Sequence, residues 1–158
     1  MPPPQRPINN LLIANRGEIA IRILQAVHEL PDPQPTTYAL YTDTDSTHVS
    51  LGRPDHALKL SSAAQYMDID HLVELVKEHK IDAVHPGYGF LSESAAFSRR
   101  MWEEAGCMVV GPGWEVLEQT GDKLRAKQLA MECGVPVLKA MVQRPGMSVP
   151  WPILRGRW

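Results

Sequence analysis

The sequence predicts an α/β fold, a mainly parallel sheet with helices on both faces. Three observations carry this. Short apolar or β-branched runs recur at residues 11–14, 36–42, 81–84 and 108–110. Segments with helical apolar spacing lie between them. Proline and glycine clusters mark the joins, as at 31–35, 85–89 and 111–113. Strands alternating with amphipathic helices are the grammar of βαβ units. There is no internal repeat, and the order of strands in the sheet is not legible.

Each element has its own signal. Residues 11–14 form the first strand, and Asn15-Arg16-Gly17-Glu18 the turn after it. A helix is expected from 17 to 30, with Ile19, Ile23, Val27 and Leu30 as its apolar stripe. Pro31, Pro33 and Pro35 end it, because proline cannot continue a helix. Residues 36–42 are rich in threonine and tyrosine, the composition of a second strand. A short helix over 48–51 and a brief strand over 57–60 follow. Asp68 caps a helix running to 80, with Leu72, Val73, Leu75 and Val76 apolar. Ser92 is the expected cap of the next helix, which closes at Gly106 in a left-handed position. A buried strand over 108–110, a helical turn over 114–120 and a helix over 122–133 complete the order. Residues 1–8 are proline-rich and expected to be disordered. Residues 141–158 hold Pro145, Pro150, Pro152, Gly146 and Gly156 with no periodicity, and are expected to form an irregular tail.

Composition narrows the function classes. The chain has 158 residues, 44% hydrophobic and 22% charged, as in ordinary globular domains. Its net charge of −2 gives no case for nucleic acid or a membrane as partner. That balance hides an asymmetry, since Lys139, Arg144, Arg155 and Arg157 stand in a final stretch without acids. No apolar run approaches the roughly 18 residues of a membrane span. Residues 1–10 resemble neither a secretory signal nor a transit peptide. Cys107 and Cys133 match no metal spacing and are expected to be buried reduced thiols, so the chain reads as cytoplasmic.

The richest stretch is 81–93, where a strand breaks at His85-Pro86-Gly87 and a helix follows. Ligands in open α/β sheets bind at such carboxyl ends of strands. His85 is either an acid–base group or a ring satisfying a loop carbonyl. Tyr88, between two glycines, is either a structural plug or a flat face with a polar tip for a ligand. A dinucleotide fingerprint is not met, because Ala14-Asn15-Arg16-Gly17-Glu18-Ile19 has one glycine where three are needed. Glu18 would also repel a pyrophosphate at the helix start. Asp43 is therefore read as a turn residue. No Walker A loop occurs. Gly121-Asp122-Lys123 places a lysine in the first turn of a helix, against the helix dipole. Lys123 is either a solvated surface residue or a phosphate contact.

Three of these motifs together resemble a family. Residues 12–24, Leu-Ile-Ala-Asn-Arg-Gly-Glu-Ile-Ala-Ile-Arg-Ile-Leu, are similar to the first strand and helix of biotin carboxylases. His85-Pro-Gly-Tyr-Gly-Phe-Leu-Ser-Glu93 resembles a second signature of that domain, and Gly121-Asp-Lys123 a third. All stand in the family's order and spacing, between about residue 9 and about residue 140. The subfamily stays open among pyruvate, acyl-CoA, acetyl-CoA and urea carboxylases, with the strand Tyr38-Ala-Leu-Tyr-Thr-Asp43 similar to that of pyruvate carboxylase.

The resemblance implies a Rossmann-like domain preceding an ATP-grasp region. It implies an ATP- and bicarbonate-dependent ligase, using Mg2+, that carboxylates biotin held by a carrier domain. It divides the chain into a biotin carboxylase N-terminal domain at 9–120 and the start of an ATP-grasp region at 121–140. By the family's pattern, Lys123 touches ATP phosphates and Tyr88 lies beside the biotin–bicarbonate site. The family's glycine-rich lid, its magnesium-binding glutamates and its catalytic arginine have no counterpart here, and the residues after 140 do not resemble the family. The expectation is therefore a truncated or alternative terminus and a chain inactive alone. Homo-oligomerisation or association with full-length carboxylase subunits is the partner reading, with the first helix as the contact.

Overall fold

A computed structural model of the protein describes residues 7–138. The expected tail at 141–158, and residues 1–6 of the N-terminal stretch, lie outside the described residues. Five parallel strands form one sheet: β1 (Asn10–Ile13), β2 (Thr36–Tyr41), β3 (His56–Lys59), β4 (Ala83–His85) and β5 (Met108–Val109). Their spatial order is β3-β2-β1-β4-β5. The connections carry helices α1 (Gly17–His28), α2 (Thr47–Gly52), α3 (Ile69–Glu78) and α4 (Ala95–Ala105). Helices α5 (Trp114–Gly121) and α6 (Lys123–Glu132) follow β5.

The period of two in β1 builds the two layers. Leu12 and Ala14 face one core, with Leu40, Tyr66, Leu72, Val76, Val84, Phe97 and Met101. Leu11 and Ile13 face the other, with Ala20, Leu24, Val27, Ala39 and Ala83. Successive strand residues point to opposite faces, so one four-residue strand serves both cores. Helix α1 covers one face and helices α3 and α4 the other. Gly52 lets α2 approach α1, because a Cβ there would lie 2.5 Å from Leu24 Cδ1.

Several expectations shift. The buried face of α1 is Ala20, Leu24 and Val27, whereas Ile19 and Ile23 are half-buried and Leu30 is 48% exposed. The expected stripe is turned by about one residue, because a neighbouring groove, described below, also takes apolar side chains. Helix α1 stops at His28, with Glu29 as its C-cap, and α3 stops at Glu78, with Lys80 left-handed at φ +52°. Ser94, not Ser92, caps α4 by accepting the Phe97 N–H at 3.2 Å. The loop after β4 is thus two residues longer than the first serine suggests. The edge strand β5 is half-buried. Cys107 is buried, but Cys133 is exposed, because α6 buries none of its residues. A 3₁₀ turn at Ala63–Met67, which no local periodicity marks, delivers Tyr66 to the core.

Candidate functional site

In this strand order the chain moves outward from β1 through β2 to β3, then returns past β1 to β4 and β5. The turns after β1 and β4 therefore part in opposite directions and leave a crevice between them. The residues of that crevice come from the two longest sequence motifs.

Asn15, fully buried, ties the two turns together. Its Nδ2 donates to the Pro86 carbonyl at 2.7 Å and to the Tyr88 carbonyl at 3.0 Å, while its Oδ1 accepts from the Arg16 N–H at 2.8 Å. One carboxamide satisfies three backbone groups that no ladder reaches. Gly87 makes this approach possible. Its φ is +66°, and a Cβ there would lie 2.6 Å from Ile19 Cγ2 and 2.7 Å from Asn15 Nδ2. Gly89 and Phe90 also have positive φ, so the backbone around Tyr88 is held in a conformation that ordinary residues resist.

His85 does not satisfy a loop carbonyl with its ring. Its Nδ1 accepts the Gly87 N–H at 3.0 Å, which puts the proton of the neutral ring on Nε2. Burial lowers its pKa below the ordinary 6.5. The ring thus braces the turn in its neutral form. Tyr88 is 63% exposed, and its hydroxyl donates to Glu18 Oε1 at 2.9 Å. Glu18 also lies 3.7 Å from Arg22. The acid that argued against a pyrophosphate therefore has a partner from the other turn.

Arg16 has a second set of contacts. Its guanidinium lies 5.7 Å from the Phe90 ring centroid and 3.2 Å from Asp45 Oδ2. Phe90 stacks on Tyr66 at 5.2 Å, and the Tyr66 hydroxyl reaches Asp45 Oδ1 at 3.4 Å. Burial raises the Asp45 pKa, but the bonds from Thr42 and Arg16 outweigh it and hold the carboxyl below its ordinary value. Burial is the main cause that raises the Tyr66 phenol. Four turns are thereby locked around one crevice.

Two concavities flank Tyr88. One, of about 400 Å³, is lined by the Asn15–Ile19 turn with Tyr88, Gly89 and Phe90. The other, of about 520 Å³, runs along α1 and is lined by Ile19, Ile23, Ala26, Leu30, His85 and Tyr88, among others. Lys123 lines neither. It is the exposed first residue of α6, whose cap Asp122 accepts from the N–H groups of Leu124 and Arg125 at 2.8 and 3.0 Å. Glu93 is exposed and lines neither hollow. Asp43 sits in a turn and pairs with Lys59 at 2.8 Å. Among the described residues, no three His, Cys, Asp or Glu side chains converge to hold a metal, and no helix is long and apolar enough to cross a membrane.

Sequence reasoning missed Asn15, Arg16 and Glu18 as site residues. Each stands in a motif, but its role depends on β4 lying beside β1, which no local pattern reveals.

Comparison with known proteins agrees with this geometry. The family model for the biotin carboxylase N-terminal domain matches residues 7–117. Pyruvate carboxylase of Bacillus subtilis (strain 168) is 41% identical over 138 residues, covering 85% of this chain and 12% of that protein. Among solved structures, the biotin carboxylase domain of a single-chain bacterial carboxylase is 45% identical, with a TM-score of 0.73 over 81% of this chain and 30% of that one. The biotin carboxylase subunit of a pyruvate carboxylase is 43% identical, with a TM-score of 0.74 over 83% and 29%. The chain spans about an eighth of the length of the curated relatives it matches. With the family model covering most of its length, the chain belongs to the biotin carboxylase N-terminal domain family.

Proposed function

We propose that this chain supplies the N-terminal part of an ATP- and bicarbonate-dependent biotin carboxylase. The observation that carries this reading is the crevice at the strand switch point, with Tyr88 held over it on a strained, buried-Asn-latched loop. Tyr88 is assigned to the biotin–bicarbonate side. An exposed aromatic face beside a hollow of about 400 Å³ suits a flat ring such as the biotin ureido group. Lys123 is assigned to the ATP phosphates, for which a mobile point charge at a helix start is suitable. Residues 121–140 are accordingly read as the start of an ATP-grasp region. Among the described residues no three His, Cys, Asp or Glu side chains converge to hold the magnesium ion such an enzyme uses.

Catalysis of phosphoryl activation needs phosphate contacts and acceptor site in one place. Here Lys123 lines neither of the two concavities that flank Tyr88. The chain alone is therefore expected to show no bicarbonate-dependent ATP hydrolysis above a Lys123→Ala control. Activity should appear when the rest of a related biotin carboxylase domain is added in trans. Hydrolysis by the chain alone would refute its inactivity, and failure of the added portion to restore turnover would count against the ligase reading.

A second reading is favoured by the groove along α1. Its apolar lining and the 48% exposure of Leu30 suit a contact with carboxylase subunits or a second copy. Leu30→Asp and Ala26→Asp should abolish co-purification with a biotin-dependent carboxylase from lysate. Unchanged recovery would remove the groove from consideration.

A further inference from the structure

Tyr88 and Ile19 form the wall shared by the two concavities. Its backbone is fixed on both sides. Asn15 bonds the carbonyls before and at Tyr88, the His85 ring holds the Gly87 N–H, and Phe90 stacks on Tyr66. The side chain has no such enclosure. Among the described residues its hydroxyl bonds to Glu18, at 2.9 Å. Glu18 sits in the first turn of α1, with Arg22 one turn along at 3.7 Å. A carboxylate only accepts hydrogen bonds, so the phenol is the donor in this pair.

We propose that Glu18 is a positioning residue that fixes the Tyr88 rotamer and engages its only O–H, so that, while this bond holds, Tyr88 meets a ligand with its ring face and acceptor lone pairs. The ligand class this selects is a flat group carrying N–H donors, such as a cyclic urea. While that bond holds, the phenol donates no hydrogen bond to a ligand carbonyl or oxyanion, so those groups of the ligand draw on other donors. The inference rests on the assignment of Tyr88 to the ligand side. Arg22 lies 3.7 Å from the same carboxylate. The bond to Glu18, followed by that residue's charge, also raises the phenol above the ordinary 10.0.

The test uses the full 158-residue chain with 13C-labelled tyrosine, the Tyr88 signal being assigned with Tyr88→Phe. In Glu18→Ala, the Tyr88 ionisation midpoint should fall toward 10.0 and its χ1 couplings should average. In Glu18→Gln, whose amide oxygen still accepts, the rotamer should persist while the midpoint falls. A merely structural residue would move neither signal at an exposed ring. An unchanged midpoint and rotamer in Glu18→Ala would overturn the proposal. Free biotin, added to the unsubstituted chain, tests the ligand side separately. If biotin leaves the Tyr88 signal unmoved while Glu18→Ala shifts it, the site assignment fails and the positioning role stands. If biotin moves the signal and Glu18→Ala does not, the positioning role alone fails.

Discussion

Asn15 does with one side chain what a ladder would otherwise do for the turn after β4. Replacing it by alanine leaves the Pro86 and Tyr88 carbonyls unpaired in a buried place. Unsatisfied buried groups cost about 1–3 kcal/mol each. Asn15→Ala is therefore expected to lose about 2–4 kcal/mol in urea unfolding. A loss under 0.5 kcal/mol, the range of a neutral surface change, would mean that water replaces the amide. Two of the titrating residues act in distinct pH windows. His85 has a folded pKa below its unfolded value, so it resists protonation in the native state. Its contribution is full above pH 6.5 and declines as pH falls below that value. Asp45 is also depressed, from 3.8, so its contribution is full above pH 3.8 and is lost as pH falls through its lower folded value. Asp45→Asn should make the loss below about pH 4 shallower, the remainder belonging to carboxylates such as Asp55, and leave the decline from pH 6.5 in place. A curve changed equally in both windows would contradict this assignment.

At the scale of elements, capping and burial separate firm helices from weak ones. Ser94 caps α4 and Ser92 does not, so Ser94→Ala should cost about 1 kcal/mol and Ser92→Ala a few tenths. Equal losses in thermal unfolding would place the helix start elsewhere. Helix α6 has a cap in Asp122 yet buries no residue, with Leu124 and Met131 more than half exposed. A ten-residue helix that buries none of its residues fully is marginal in water. Its amides should exchange with solvent orders of magnitude faster than those of β1 and β4. Comparable protection would show that α6 has a cover. Helix α1 combines both situations. One face is sealed by Leu24 and Val27, and the adjoining one opens onto the groove.

At the scale of the molecule, one sheet separates two cores, and β1 supplies both. Leu12→Ala and Leu24→Ala lie on opposite faces and are each fully buried. Each should lower stability by about 2–5 kcal/mol within one cooperative transition, monitored by both far-ultraviolet circular dichroism and tryptophan fluorescence. Two separated transitions would mean that the faces unfold independently. The crevice also belongs to this scale. It exists because the chain reverses direction across β1, and its lining turns are joined by Asn15, Arg16–Asp45 and Tyr66–Phe90 rather than by neighbouring residues in sequence.

The sequence by itself determined the α/β class and the approximate place of nearly every strand and helix, because those follow from periods of two and 3.6 and from turn residues that act locally. It also determined the family, through motifs long enough to be specific, and singled out Tyr88. It misjudged the buried face of α1, the cap of α4 and the burial of Cys133, since each depends on what a neighbouring element covers or leaves open. Only the tertiary structure decided that β4 lies beside β1. That placement brings Asn15 to Tyr88 and Glu18 to its hydroxyl across some 70 residues of chain. Hydrogen bonds between such distant residues leave no period in the sequence, so the crevice becomes legible only once the sheet is assembled.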